Sequence, residues 1–434
     1  MDIFWIIKPF FSLDFILIYL IVTVKFSQSL DDYGDSPEII KSRGFNCEIH
    51  KIVTSDGYIL TMFRIVNPLI VKQQQLRKPP NRLVNNYKPI ILQSGLGGSS
   101  DDYIFSSPDG QVDESLLNNP NVDQLINYYN GTGRNLGFLL ANLGYDVWLT
   151  NFRANYYSRN HTTLDPDSTE FWTTGLDEMA TIDLPTTIDY ILNSTKRKTV
   201  GYIGLSRGCA VMFALLSERL EYTEKVKPFI AMAPAVFVGR WSVNLFKAIL
   251  VNVNSLLRYL ARKSPVECFG RGFPKKMYQL CHNSEFNPFC SIGQHYLSFL
   301  LGDHTNLTRM GIYLTHFPAG SPCLDYIHYF QIGLSGRFHK LDYGEKENYL
   351  RYNQSSPPDY PLEKIRSKDI YIFNSKGDKL VTPNNVVKLV DKLKVKPKEW
   401  KVINRLDFDH LDFIFSLELG VEVNRDIVRI LSYY

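Results

Sequence analysis

Cysteine and histidine are scarce in this 434-residue chain, at six and nine residues. No spacing among them fits a metal site, and no motif calls for another cofactor. Blocks of like charge are also missing, and the formal net charge of +4 is small for the length. That argues against a nucleic-acid partner. The apolar run at 15–24 is short for a membrane span. Disorder is excluded by composition, because 44% of the residues are hydrophobic. What is abundant is aromatic: 26 tyrosines and 27 phenylalanines, a supply that serves core packing first and apolar pockets second. The length allows one large core or two modest ones.

One short stretch carries chemistry. Gly204-Leu205-Ser206-Arg207-Gly208 lies between an apolar run at 199–203, which predicts a strand, and a helix-like segment starting at Cys209. A serine in a sharp strand-to-helix turn needs small residues two before and two after it, so that strand and helix can approach. The motif alone is weak, since ~0.15 matches arise by chance in a chain of this length. The test is whether partners follow in the order acid, then histidine, each just beyond the carboxyl end of a later strand.

They do. Only His410 of the nine histidines lies beyond residue 339; it follows a strand-like run at 400–403 and precedes an apolar helix-like segment at 411–417. The run at 370–373 predicts a buried strand, and the turn-rich Asn374-Ser375-Lys376-Gly377 delivers Asp378 to the same sheet edge. Ser206 would then attack an ester carbonyl while His410 takes its proton and Asp378 orients the imidazole. Two backbone amides are expected to hold the oxyanion: that of Arg207, after the nucleophile, and that of Leu96 in Ser94-Gly95-Leu96-Gly97-Gly98-Ser99.

The rest of the chain supplies a scaffold of alternating strands and helices. Runs at 48–54 and 58–65 joined by Ser55-Asp56-Gly57 predict a hairpin, and 68–87 an exposed polar loop. Strands are expected at 89–93, 145–149 and 229–233, and a helix at 183–192 with Pro185 in its first turn. Such alternation implies a mostly parallel sheet with crossover helices. The stretch 238–324, with an amphipathic run at 246–260, interrupts it and is expected to cap the site. The core is thereby divided into 30–237 and 325–434.

Residues 1–29 have Lys8, the apolar run and a small-x-small end at Ser27-Gln28-Ser29, the pattern of a secretory signal, although Asp2 and Asp14 weaken it and leave an uncleaved anchor as the alternative. In that pathway cysteines can oxidise, and Asn130, Asn160, Asn193, Asn306 and Asn353 sit in glycosylation sequons. Cys281 and Cys290 flank a polar loop and are the pair best placed for a disulfide. Cys209 is expected to be a buried small hydrophobe; Cys47, Cys268 and Cys323 have no assignable partner.

The chain resembles the acid lipases of the α/β-hydrolase fold, the group of gastric and lysosomal acid lipases. The likeness runs from Pro37 to the end, through Thr54-Ser55-Asp56-Gly57-Tyr58, Gly144-Tyr145-Asp146-Val147-Trp148, Asn151 with Arg153, Asp177-Glu178-Met179-Ala180, Pro318-Ala319-Gly320 and His410-Leu411-Asp412-Phe413. It implies an α/β-hydrolase fold with a helical cap or lid, a Ser206–Asp378–His410 charge relay, a Cys281–Cys290 bridge, and a lipid-ester substrate met at a droplet or membrane surface. It also implies a secreted or lysosomal lipase. The chain departs from the family at Ser94, where a histidine is usual, at Leu205 and Arg207, where His and Gln flank the serine, and at Lys379 after the acid. The Ser94, Leu205 and Arg207 departures keep open a weakened lipid-binding protein of the same fold; a further alternative is a short-chain carboxylesterase, which a shorter acyl pocket under the cap would favour.

Overall fold

The computed structural model describes residues 30–76, 88–118, 133–239, 267–271 and 301–434. The signal-like segment 1–29, Asn130, the amphipathic run 246–260 and the Cys281/Cys290 pair lie outside the described residues.

Eight strands form one sheet: β1 (Asn46–Val53), β2 (Ile59–Val66), β3 (Pro89–Gln93), β4 (Asp146–Thr150), β5 (Val200–Leu205) and β6 (Val226–Met232), then β9 (Ile370–Ser375) and β10 (Glu399–Ile403). A separate two-stranded ribbon pairs β7 (Glu267–Cys268) with β8 (Ser321–Pro322). The spatial order is β1-β2-β4-β3-β5-β6-β9-β10, with β1, β2 and β4 antiparallel in succession and every later pair parallel. This is the mostly parallel α/β-hydrolase sheet. β3, β5 and β9 are buried along their whole length, as expected of parallel strands covered on both faces.

The two faces hold separate cores because side chains alternate along each strand. Ile91, Trp148, Tyr202, Ala231 and Ile372 point to one side, against the helices Leu184–Thr195 (α1) and Arg207–Glu218 (α2). Ile90, Leu149, Ile203, Ile230 and Phe373 point to the other, against Leu136–Asn142 and Arg425–Leu431. The helix Met310–His316, inside the stretch expected to be cap, also packs into this second core.

The hairpin and each expected strand are present, with bounds shifted by at most three residues. One expectation fails: the start of the 68–87 segment is not loop but a helix, Pro68–Leu76. Its polarity concealed two helix-start signals, Pro68 at the first position and Asn67 Oδ1, which accepts the backbone N–H of Leu69 at 3.0 Å.

Candidate active site

The strand order reverses at β3, which has β4 on one side and β5 on the other, so a crevice opens beyond the carboxyl ends of these strands. Ser206 leaves β5 there with φ 52° and ψ −112°, a backbone that an L-residue rarely adopts. The flanking glycines make that turn possible. A Cβ on Gly204 would lie 3.0 Å from the Cys209 nitrogen, and one on Gly208 would lie 2.7 Å from the Gln93 carbonyl oxygen. The turn is held by the Ser206 N–H donating to Met232 O at 2.9 Å and by Ser206 O accepting from Cys209 and Ala235.

His410 reaches the same edge from beyond β10, and Asp378 from beyond β9. His410 Nε2 lies 2.9 Å from Ser206 Oγ, and His410 Nδ1 lies 2.8 Å from Asp378 Oδ2. The second oxygen of Asp378 accepts the backbone N–H groups of Leu380 and Val381 at 2.9 and 2.7 Å, so the carboxylate is aimed. The two loops are tied together: Ser375 Oγ donates to Phe408 O at 2.5 Å and accepts from Gly377 N, while Lys376 N donates to Ile403 O. All three side chains are buried, with Ser206 at 7% exposure.

Burial disfavours a charged His410, but the Asp378 carboxylate and its hydrogen bond, with Asp409 beyond, outweigh that and raise its pKa above the ordinary 6.5. Asp409 is a neighbour that sequence patterning does not reveal. Its Oδ1 accepts the N–H groups of His410 and Lys379 at 2.8 and 3.1 Å, and Lys379 Nζ lies 2.5 Å from its Oδ2. The lysine that departs from the family pattern is thus bound to the histidine loop.

The Leu96 loop stands against the serine: a Cβ on Gly95 would be 3.2 Å from Ser206 Cβ. Arg207 begins α2, where a helical N–H has no carbonyl one turn back to bond. The Arg207 guanidinium is buried and turns away from solvent. Its Nη1 donates to Ser321 Oγ at 2.7 Å and pairs with Asp325 Oδ2. Among the described residues, no group of His, Cys, Asp or Glu could hold a metal ion. Cys268 and Cys323, left without partners by spacing alone, are disulfide-bonded, and Cys47 and Cys209 are free. Burial pushes the Cys209 thiol well above its ordinary range, as suits a packing residue.

Two family models match: a partial alpha/beta-hydrolase lipase region over residues 36–107 and the alpha/beta hydrolase fold over 88–262. The gastric triacylglycerol lipase of Bos taurus is 30% identical over 409 residues, covering 91% of this chain and 90% of its own. The chain belongs to the acid lipase family. It is accordingly a carboxylic ester hydrolase. Lipase 1 of Drosophila melanogaster is 31% identical over 402 residues, covering 91% of this chain and 79% of its own. A hypothetical protein of Pseudomonas aeruginosa shares the fold at a TM-score of 0.50 and 9% identity, over 95% of this chain and 99% of its own. In this lipase the family's motif blocks are structural joints. Arg153 is fully buried between Asp183 and Asp56, with both ion pairs at 2.6 Å, and so ties the hairpin turn to α1. Asn151 accepts the Ser100 N–H and donates to Thr61 O, fixing the exit of the glycine loop to β2.

Proposed function

We propose that the protein hydrolyses ester bonds of neutral lipids, acylglycerols or sterol esters, with Ser206 as nucleophile, His410 as general base and then acid, and Asp378 as the group that orients and charge-stabilises the imidazole. The observation that carries this reading is the unbroken run Asp378···His410···Ser206, at 2.8 and 2.9 Å, beyond the carboxyl ends of β9, β10 and β5. Neutral His410 accepts the Ser206 proton as Oγ attacks the carbonyl carbon. The Leu96 and Arg207 amides receive the oxyanion. Imidazolium then protonates the departing alcohol, and water repeats the sequence to release the fatty acid and free Ser206.

A lipid substrate is supported by the relatives named as triacylglycerol lipases. Residues 238–324 would cover the site as a cap that admits the acyl chain and meets a droplet or membrane surface, between core parts 30–237 and 325–434. Delivery to the secretory pathway, to the lysosome or the cell exterior, is supported by the Cys268–Cys323 disulfide and the signal-like 1–29 segment. No helix among the described residues is long and apolar enough to cross a membrane.

The test is hydrolysis of fluorogenic esters of increasing acyl length by protein lacking residues 1–29, beside Ser206→Ala. Turnover that rises with chain length and vanishes in the variant supports the proposal. Turnover confined to short esters makes the protein a short-chain esterase, and none above the variant at any length removes the reading.

A further inference from the structure

Arg207 is the residue after the nucleophile, and its side chain has a destination that its position in the motif does not explain. The guanidinium is 1% exposed and lies 5.4 Å above the Phe152 ring. Ser321 and Asp325 hold its Nη1, and Ser321 Oγ donates to the same Asp325 oxygen at 2.7 Å. Asp325 is fully buried, in the first turn of the helix Cys323–Ser335. A buried cation and a buried carboxylate stabilise each other here, and removing either one leaves the other uncompensated.

The segment that carries Ser321 and Asp325 also touches the other side of the site. Ala319 N–H donates to Gly97 O at 2.6 Å, one residue after Leu96. A Cβ on Gly97 would meet Tyr326 Oη at 2.9 Å and Pro318 Cβ at 3.2 Å, so the loop lies close against the segment. The segment is anchored in turn: Ser321 pairs with Cys268 across the β7–β8 ribbon, Gly320 N–H donates to Phe269 O, and Cys323 is bonded to Cys268. One anchored piece of chain, 318–326, therefore contacts the start of α2 through Arg207 and the glycine loop through Gly97.

We propose that Asp325 is a positioning residue for ester cleavage: through Arg207, and with Ser321, it locks the 318–326 segment to the start of α2, and that lock sets the separation of the Leu96 and Arg207 amides. The inference rests on the reading of those amides as the oxyanion donors. It assigns Arg207 a mechanical role. Its charge is matched by Asp325, so the side chain serves to hold two loops at one distance, and the backbone amide does the electrostatic work. Donors displaced by a fraction of an ångström bind the transition state less well and the ground-state ester almost as before, so the cost falls on kcat.

The experiment compares wild type, Asp325→Asn, Arg207→Gln and the double variant on a water-soluble ester, with kcat and KM separated. Thermal midpoints and the affinity of an alkylboronic acid, which forms a tetrahedral adduct on a serine, are measured alongside. Asp325→Asn is expected to lower kcat by ~10–100-fold and weaken the boronic acid in parallel, with KM within about twofold. The double variant, which removes both charges and leaves two amides able to hydrogen-bond, is expected to recover most of that loss. A lowered midpoint with wild-type kcat and boronic acid affinity in Asp325→Asn overturns the inference. So does a double variant as slow as Arg207→Gln, which would place the effect in the charge. If Asp325→Asn does not fold, Ser321→Ala removes one hydrogen bond and leaves no bare charge; a several-fold loss in kcat is expected, and none overturns the inference. A wild type with no ester turnover would remove the functional reading together with this one, whereas an active wild type with an unaffected variant removes this one alone.

Discussion

His410 Nδ1 and Asp378 Oδ2 lie 2.8 Å apart, both side chains buried, and the carboxylate there does more than orient the ring. It offsets the penalty of burial and raises the imidazole pKa above 6.5. The proton is therefore bound more tightly in the folded protein. A histidine acting as base must be neutral, so kcat/KM is expected to fall on acidification through a midpoint above 6.5. Asp378→Asn is expected to move that limb to lower pH and cut kcat by roughly 10⁴-fold. A pH–rate profile of both proteins checks this, and a wild-type limb below the ordinary histidine value would contradict it.

Gly208 sits where α2 crosses the end of β3. A Cβ there would press on two backbone oxygens, Gln93 O at 2.7 Å and Ser94 O at 2.8 Å, and neither can rotate away. Gly208→Ala is expected to destabilise the fold by about 1–3 kcal/mol and to lower turnover as well, because the strain falls on the turn that presents Ser206. Denaturant melts together with kcat would show it; an unchanged melt would mean the turn relaxes freely.

The Cys268–Cys323 bridge closes a 55-residue separation. Replacing both cysteines by alanine is expected to cost about 2–4 kcal/mol, chiefly by freeing the unfolded chain. Thermal melts of the double variant measure that cost. Peptide mapping without reduction should recover 268 linked to 323 in the wild type.

Of the sequons with described side chains, Asn160, Asn193 and Asn353 are exposed. Asn306 is 5% exposed, its backbone N–H donates to Phe415 O, and its Oδ1 accepts the Thr308 hydroxyl. Protein secreted from eukaryotic cells should carry glycans at the first three positions and none at Asn306, where a sugar would prevent this packing. Glycopeptide mass spectrometry decides it, and an occupied Asn306 in active protein would contradict the prediction.

The strands and the placing of Ser206, Asp378 and His410 at strand exits were legible in the sequence because both are local properties. A parallel strand buried on both faces must be a continuous apolar run, and the turn after it must use Gly, Ser, Asn or Asp. The helix at Pro68–Leu76 was concealed because the polar and basic residues after its first turn dominate the 68–87 segment and its start signals are only two positions long. The Cys268–Cys323 pairing was concealed for a different reason: spacing favours near neighbours, whereas pairing follows which backbones the fold brings to about 5 Å, here Cα–Cα 5.0 Å.

Arg207 shows the division most clearly. The chain itself determined that a cation follows Ser206, that glycines flank the elbow, and that an acid and a histidine come later in order, since those are matters of residue type and spacing. Tertiary structure alone decided that the cation is neutralised by Asp325, 118 residues on, and that Asp409 holds Lys379, 30 residues before it. A side chain's charge is written in its own residue, but the partner that makes burying it tolerable is chosen by packing among elements far apart in the chain.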